Sequence, residues 1–102
     1  MPDYQLTPAA ERDLVGVARY TLRTWGIDQA RRYEVLLVAC FETIASGQAR
    51  SRELFKSRPE IRFVPCEHHY VFFTKPPGAP VLILAVLHER MDLVARLKQR
   101  LQ

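Results

Sequence analysis

The stretch that decides the fold is VLILAVLHERMDLVARLKQRL, which runs from Val81 to Leu101. Its first part, Val81–Leu87, is apolar without interruption, which predicts a central strand buried on both faces. From Met91 onward the apolar residues recur at helical spacing and predict a C-terminal helix. His88–Arg90 lie where the strand gives way to the helix, and element ends at the rim of a sheet often carry function.

The N-terminal half predicts one short strand followed by two helices. Asp3–Leu6 carries apolar residues at alternate positions, as a strand does. Thr7 suits the N-cap of a first helix, which Gly26 ends. Asp28 opens the second helix, and Ser46–Gly47 stops it. Because so few residues join the two helices, we predict an antiparallel helical hairpin.

The hairpin also supplies aromatic residues for the core. Trp25, Tyr33 and Phe41 lie on the apolar stripes of the two helices, so we predict that all three are buried. Cys40 and Cys66 are too few for a disulfide framework and lie in no metal-binding motif. We therefore interpret both as small buried apolar residues.

The middle of the chain predicts the rest of the sheet. Residues 48–59 are basic, and we expect an irregular segment there. Ile61–Val64 and His68–Lys75 are predicted strands, and the loop 76–80 between the last two strands is rich in proline. The order is β-α-α-β-β-β-α, without βαβ alternation. We predict a single α+β domain over residues 1–102, with the helical hairpin packed on a small, mainly antiparallel sheet and a C-terminal helix.

Composition and charge narrow the classes of function. The chain has 102 residues, 15 Lys and Arg against 11 Asp and Glu, and a net charge of +4. This excess favours an acidic partner or nucleic acid. The sequence contains neither a signal-peptide pattern nor an apolar run long enough for a membrane span. We therefore expect a cytoplasmic protein with no membrane association.

Four residues are the strongest candidates for chemistry. If the last three strands form a meander, Arg62, Tyr70, His88 and Arg90 come to one part of the sheet. Cleavage of RNA by its own 2′-hydroxyl needs a base, an acid and cations on the phosphate, which these residue types supply. The alternative interpretation is ordinary surface charge at strand ends.

Other kinds of site have less support in the sequence. His68 and His69 are adjacent and would point to opposite faces of a strand, so we predict no metal site. No motif for a cofactor is present. The basic stretch 50–62 has the charge to contact phosphates, but a solvated loop explains it equally well.

Three patterns make the chain similar to a known family. They are Tyr4-x-Leu6-Thr7-x-x-Ala10-x-x-Asp13-Leu14, Tyr20-Thr21-x-x-x-Trp25-Gly26-x-x-Gln29-Ala30-x-x-Tyr33 and Leu87-His88-Glu89-Arg90-Met91-Asp92. Together they resemble the ParE branch of the RelE/ParE toxin superfamily nearly from end to end. The region 48–67 matches loosely, because the family often has Gly-Arg where this chain has Gln48-Ala49-Arg50.

The resemblance implies a small cytoplasmic toxin of a bacterial type II toxin–antitoxin module. In this family a ParD-like antitoxin neutralises the toxin with an acidic or amphipathic C-terminal segment, and its ribbon-helix-helix part binds operator DNA. ParE-like toxins poison DNA gyrase, whereas RelE-like relatives cut mRNA on the ribosome with the same fold. The segment His88–Asp92 resembles the gyrase-directed branch. We expect a gyrase inhibitor without enzyme activity, and the alternative is a ribosome-dependent mRNA endonuclease.

Candidate site residues follow from the resemblance and from the charge pattern. Those expected to contact the target are His88, Glu89, Arg90, Met91 and Asp92. Those expected to receive the acidic helix of the antitoxin are Arg12, Arg19, Arg23 and Arg31. In the nuclease alternative the catalytic group is Arg62, Tyr70, His88 and Arg90.

The C-terminal helix is expected to have two different faces. Its apolar stripe packs back on the domain and consists of Leu93, Leu97 and Leu101. Its basic residues are expected to face the target or the antitoxin, as Arg90 does, and they are Arg96 and Arg100. Because ribbon-helix-helix antitoxins dimerise, we expect a hetero-oligomer, either a heterotetramer or larger.

Overall fold

The predicted central strand is present and lies inside a five-stranded sheet. In the computed structural model, which describes residues 3–101, the elements in chain order are β1 (Tyr4–Leu6), α1 (Pro8–Trp25), α2 (Ile27–Ala45), β2 (Arg52–Phe55), β3 (Arg58–Cys66), β4 (His69–Thr74), β5 (Val81–His88) and α3 (Leu93–Arg100). The strand order is β1-β5-β4-β3-β2, and only β1 and β5 run parallel. The predicted α+β class and mainly antiparallel sheet are confirmed.

The structure adds one short strand to the predicted order. Residues 52–55 lie within the segment that we expected to be irregular, yet they form β2 at the edge of the sheet. Arg52 pairs with Phe63, and the register shifts between Glu53 and Phe55. A short edge strand with a register shift has almost no apolar alternation. Sequence periodicity therefore could not reveal it.

A tight connection makes the helical hairpin. The Thr7 side chain caps α1 as predicted, accepting a hydrogen bond of 3.1 Å from the Ala10 N–H. Gly26 alone separates α1 from α2 and has φ 91° and ψ 174°. Residues that carry a side chain rarely adopt this backbone conformation, so glycine allows the chain to reverse direction between the two helices. The predicted hairpin is confirmed.

Two apolar clusters cover the two faces of the sheet. The hairpin packs on one face, where Phe41 of α2 belongs to the same cluster as Val71 of β4. α3 packs on the other face, where Leu97 is fully buried with Phe72. Since the sheet is covered on both sides, β5 needs apolar residues at every position. The predicted packing of the α3 stripe is confirmed for Leu93, Leu97 and Leu101.

One of the three predicted core aromatics is exposed. Tyr33 and Phe41 are buried, as expected, but Trp25 is 68% exposed. Trp25 is the last residue of α1 and lines a groove beside His68 and His69, where β4 begins. The indole therefore lies beside the end of the sheet, and most of it remains open to solvent.

The open edge of β5 is closed by an ion pair. β1 ends at Leu6, so β5 has no neighbouring strand on that side beyond Ile83. Asp13 of α1 accepts a hydrogen bond of 2.9 Å from the Val86 N–H. Arg100 of α3 donates two hydrogen bonds to the Asp13 carboxylate, at 3.0 and 3.1 Å, and one to the Leu84 carbonyl at 3.0 Å. The expectation that Arg100 faces a partner is wrong, because its guanidinium joins the two helical layers around the sheet edge.

Candidate functional site

A cluster of three histidines lies where β4 begins and β5 ends. His69 and His88 are directly opposite each other in the β4–β5 ladder, and their rings meet edge to face at 5.1 Å between centroids. His68 precedes β4, and its Nδ1 lies 3.1 Å from a Glu89 carboxylate oxygen. We call His68, His69 and His88 the histidine cluster. Strand register brings the His69 and His88 rings together, because paired residues share one face of the sheet.

Burial keeps the His69 ring neutral, and Tyr33 of α2 sets which ring nitrogen carries the proton. The Tyr33 hydroxyl accepts a hydrogen bond of 3.2 Å from the His68 N–H and donates its own proton to His69 Nδ1. The neutral ring then carries its proton on Nε2. Burial, followed by the nearby charges of His88 and His68, lowers the pKa of His69 to about 4. His69 is therefore a neutral hydrogen-bond donor at neutral pH and supplies no acidic proton.

The turn after β5 is held by its own hydrogen bonds. The His88 ring accepts from the Arg90 N–H at 3.1 Å, and the His88 carbonyl accepts from the Met91 N–H at 3.0 Å. Asp92 caps α3 by accepting from the Ala95 N–H at 3.2 Å. His88 and Asp92 thus shape the backbone. Glu89, Arg90, Met91 and Asp92 are all exposed. We call the segment Glu89–Met91, which lies between His88 and the Asp92 cap, the exposed turn.

Two grooves flank Tyr20, which is 61% exposed on α1. One groove, of about 600 Å³, has Arg12 and Met91 in its lining, and the other, of about 410 Å³, has Trp25 and Glu89. Both reach Tyr20, His69, His88 and Arg90. Aromatic rings, apolar side chains and a guanidinium side by side are suited to a peptide or protein partner. Tyr20 stands in one of the family patterns, but no role was predicted for it, because it lies off the apolar stripe of α1.

The four residues of the nuclease alternative are not brought together. Arg62 pairs with Phe73, four residues along β4 from His69, which is roughly 13 Å at about 3.3 Å per residue. The Arg62 guanidinium donates to the Ser51 hydroxyl at 2.6 Å and to the Ser51 carbonyl at 2.7 Å. Tyr70 belongs to the cluster on the α3 face, opposite the histidine cluster. Tyr70 follows His69 in β4 and points to the opposite face, because successive residues of a strand alternate between faces. Of the four residues, His88 and Arg90 remain neighbours.

The outer surface of the hairpin is unusually apolar. Val15, Leu22, Val35 and Leu36 are all exposed. A groove of about 250 Å³ between α1 and α2 has Val15 in its lining. Exposed apolar surface of this extent is typical of a protein–protein interface.

The four arginines expected to bind an antitoxin are all exposed on the hairpin. On α1, their spacing of seven and then four residues places them on one side of the helix. Arg31 lies in the first turns of α2. The residues concerned are Arg12, Arg19, Arg23 and Arg31.

Metal binding has no geometry to support it within residues 3–101. In that part of the chain, no three His, Cys, Asp or Glu side chains gather closely enough to hold a metal ion. Among the same residues, no helix has both the length and the apolar character needed to cross a membrane.

Comparison with known proteins gives consistent matches over nearly the whole chain. The family model for the ParE toxin of the type II toxin–antitoxin system parDE matches residues 4–93. Toxin ParE of Escherichia coli is 45% identical over 102 residues, covering 100% of this chain and 99% of that protein. Toxin ParE1 of Caulobacter vibrioides is 32% identical over 97 residues, covering 95% and 99%.

A solved structure confirms the fold. The chromosomal ParDE toxin–antitoxin system from P. aeruginosa contains a chain that superposes with a TM-score of 0.72 at 18% identity, covering 86% of this chain and 96% of that one. The structural match agrees with the sequence matches, which cover nearly the whole chain. The chain belongs to the ParE toxin family of type II toxin–antitoxin systems.

Proposed function

We propose that the protein is a toxin that inhibits DNA gyrase in the cytoplasm and that a ParD-like antitoxin neutralises it. Family membership supports a role in a toxin–antitoxin module. The choice of gyrase rests on the segment His88–Asp92, which resembles the gyrase-directed branch. In this proposal the protein acts by binding and catalyses no reaction.

The exposed turn is the observation that carries the target proposal. The two hydrogen bonds to His88 hold the backbone of Arg90 and Met91 in place, while both side chains stay exposed. Met91 is 42% exposed and lies in the same groove as Tyr20. An apolar side chain on a hydrogen-bonded backbone, in one groove with an aromatic ring and a guanidinium, is a typical anchor for a protein partner, because little backbone entropy is lost on binding.

The endonuclease alternative has weaker support. Arg62 already donates to Ser51, and Tyr70 lies on the opposite face of the sheet from His88. His69 holds its only ring proton as a neutral donor, so it is a poor general acid at neutral pH. Bringing the four residues of this alternative together would therefore require a different register of β3, β4 and β5.

A supercoiling assay with two variants tests the target proposal. Purified toxin should inhibit supercoiling by gyrase, and Arg90→Ala and Met91→Asp should each raise the concentration needed by about tenfold or more, as loss of an interface anchor does. Arg52→Ala is the matched control, since Arg52 is exposed on β2 at the other edge of the sheet. Normal supercoiling with wild-type toxin, together with codon-phased cuts in a translated mRNA, would replace this proposal with the endonuclease.

The hairpin surface is the proposed antitoxin site. The exposed apolar residues and the groove between α1 and α2 fit the apolar side of a partner helix. The three arginines on one side of α1, Arg12, Arg19 and Arg23, fit acidic residues at the edge of that helix. The double variant Arg19→Glu/Arg23→Glu should weaken binding of the cognate antitoxin by at least about tenfold. Arg50→Glu/Arg52→Glu, which changes the net charge by the same amount but at the sheet edge, should leave affinity unchanged in the same titration. Equal affinities for all three proteins would reject this surface.

The assembled module is proposed to be a heterotetramer or larger. A dimeric ribbon-helix-helix antitoxin would carry two toxin copies, and the toxin would meet operator DNA only through it. Light scattering on the co-purified complex measures this stoichiometry, and a mass equal to one toxin and one antitoxin would contradict it.

A further inference from the structure

The larger of the two grooves beside Tyr20 is lined by hydrogen-bond donors from several elements. Arg12 and Tyr20 come from α1, and His69 comes from β4. His88 ends β5, and Arg90 lies in the exposed turn that follows. Two guanidiniums, two imidazoles and a phenol hydroxyl thus line one groove of about 600 Å³. Such a groove is suited to a ligand that is rich in acceptors.

Each of the two imidazoles offers a donor, because its other ring nitrogen is already an acceptor. His69 Nδ1 accepts from the Tyr33 hydroxyl, and His88 Nδ1 accepts from the Arg90 N–H at 3.1 Å. Each neutral ring therefore carries its proton on Nε2. Within residues 3–101, no side-chain nitrogen is buried without a partner, so these two N–H groups remain accessible. The ring centroids are 5.1 Å apart, so the groove has two adjacent imidazole donors.

The carboxylate that lines this groove already has its partners. Asp13 accepts from the Val86 N–H and from the Arg100 guanidinium. Arg12 and Arg90 are exposed and take no part in the ion pairs found among residues 3–101. The groove therefore has positive charge and donors that an anion would complete.

We propose that this groove binds a carboxylate side chain of the protein target. The inference rests on the proposed function, in which the exposed turn contacts gyrase, and adds the chemistry that the groove recognises. Guanidinium and imidazole N–H groups make charge-assisted hydrogen bonds to a carboxylate, which are stronger than those between neutral groups. The donors hold the acidic group while the exposed turn anchors the residues beside it.

The rest of the lining favours a protein carboxylate over the phosphates of a nucleic acid. Val17, Leu87 and Met91 are apolar and line the same groove as the donors. A nucleic acid carries a charge at every nucleotide and would set further phosphates against this apolar surface, which is unfavourable. A peptide can place an acidic residue beside apolar ones, as the centre of a protein interface does.

Gly16 allows a carboxylate to be placed in the groove by substitution. It lies one helical turn from both Arg12 and Tyr20 and lines the same groove. A Cβ at this position would meet no other atom within 4 Å, so a longer side chain has room. Gly16→Glu therefore supplies a tethered carboxylate at high effective concentration, and Gly16→Gln has nearly the same shape without the charge.

NMR of the imidazole groups in the purified toxin tests the site without gyrase. The Nε2 and Hε2 signals of His69 and His88 should move in Gly16→Glu and should move much less in Gly16→Gln. His68, whose Nδ1 lies 3.1 Å from a Glu89 carboxylate oxygen, is the internal control and should change little. Histidine signals that are the same in both variants would overturn the proposal.

Titration of the wild type identifies the kind of anion. Sodium acetate should move the same His69 and His88 signals in a saturable way, and Arg90→Gln should raise the half-saturating concentration by about tenfold. Arg52→Gln, at the other edge of the sheet, should leave that concentration unchanged. Dimethyl phosphate has the charge and shape of a nucleic-acid phosphodiester. Its binding more tightly than acetate would overturn the proposal in favour of a nucleic-acid partner.

A supercoiling assay determines whether the target supplies the carboxylate. Because its own side chain fills the site, Gly16→Glu should need at least about tenfold more protein than Gly16→Gln to inhibit gyrase. Equal inhibition by the two variants, with the histidine signals moved as expected, would overturn the assignment of the target to this groove. Wild-type toxin that leaves supercoiling normal would instead refute the gyrase proposal, and the NMR result alone would then decide whether the groove binds a carboxylate.

Discussion

Replacing Arg100 with methionine would test the ion pair that closes the edge of β5. The change removes two hydrogen bonds to Asp13 and one to the Leu84 carbonyl. Breaking a fully buried pair costs about 3–5 kcal/mol. Here the side chains are 27% and 16% exposed, so water screens the pair and we expect a loss of about 2 kcal/mol. For a domain of this size, that corresponds to a fall in Tm of roughly 10 °C.

Replacing Asp13 should destabilise the protein more than replacing Arg100. Asp13→Ala also removes the acceptor for the Val86 N–H, so we expect it to cost about 3 kcal/mol. Urea unfolding followed by circular dichroism measures each variant and the double variant. Since the two residues share their contacts, the double variant should be less destabilised than the sum by about 1–2 kcal/mol.

A matched variant on the same helix controls for loss of an arginine. Arg96 is exposed on α3, and Arg96→Met should change the free energy of unfolding by less than about 0.5 kcal/mol. The reasoning fails if Arg100→Met is no less stable than Arg96→Met. It also fails if the Asp13 and Arg100 effects simply add, because the pair would then contribute no coupling.

Two further changes test the histidine cluster and the hairpin connection. The pKa of His69 is about 4 in the folded protein and 6.5 in its ordinary state. Between these pH values the unfolded chain therefore binds more protons than the folded protein. The free energy of unfolding should fall as pH is lowered through this range. Urea unfolding of wild type and His69→Gln from about pH 7 to about pH 4 should show a smaller fall in the variant, and equal falls would contradict the assignment. At the connection, Gly26→Ala should cost about 1–3 kcal/mol although the space is open, because φ is 91°. Gly16→Ala, in the middle of α1 and equally open, should instead stabilise by about 0.5–1 kcal/mol, and the same sign for both would refute the backbone explanation.

Much of the fold could be predicted because its signals are local. The unbroken run Val81–Leu87, the Thr7 cap and the Gly26 stop each act within a few residues. The spacing of Leu93, Leu97 and Leu101 is likewise a property of one helix. Strand β2 was missed, because an edge strand buries little and carries no strong apolar alternation.

The candidate site could be predicted only in part. The exposed turn was recognised, since it follows the most apolar strand and carries a family pattern. Tyr20 was part of a family pattern, but its place between two grooves was not predicted, because a tyrosine off the apolar stripe gives no periodicity signal. The proposed grouping of Arg62 and Tyr70 with His88 failed, because strand register and side-chain alternation separate them.

The sequence by itself determined the three helices and strands β1, β3, β4 and β5, which side of α3 is buried, and where the chain leaves the sheet. These follow from periodicity and capping, which depend on residues a few positions apart. Only the tertiary structure decided that Arg100 binds Asp13, 87 residues away, and that Tyr33 meets His69, 36 residues away. Such contacts depend on how whole elements pack and on one strand register among several, and no local pattern encodes that choice.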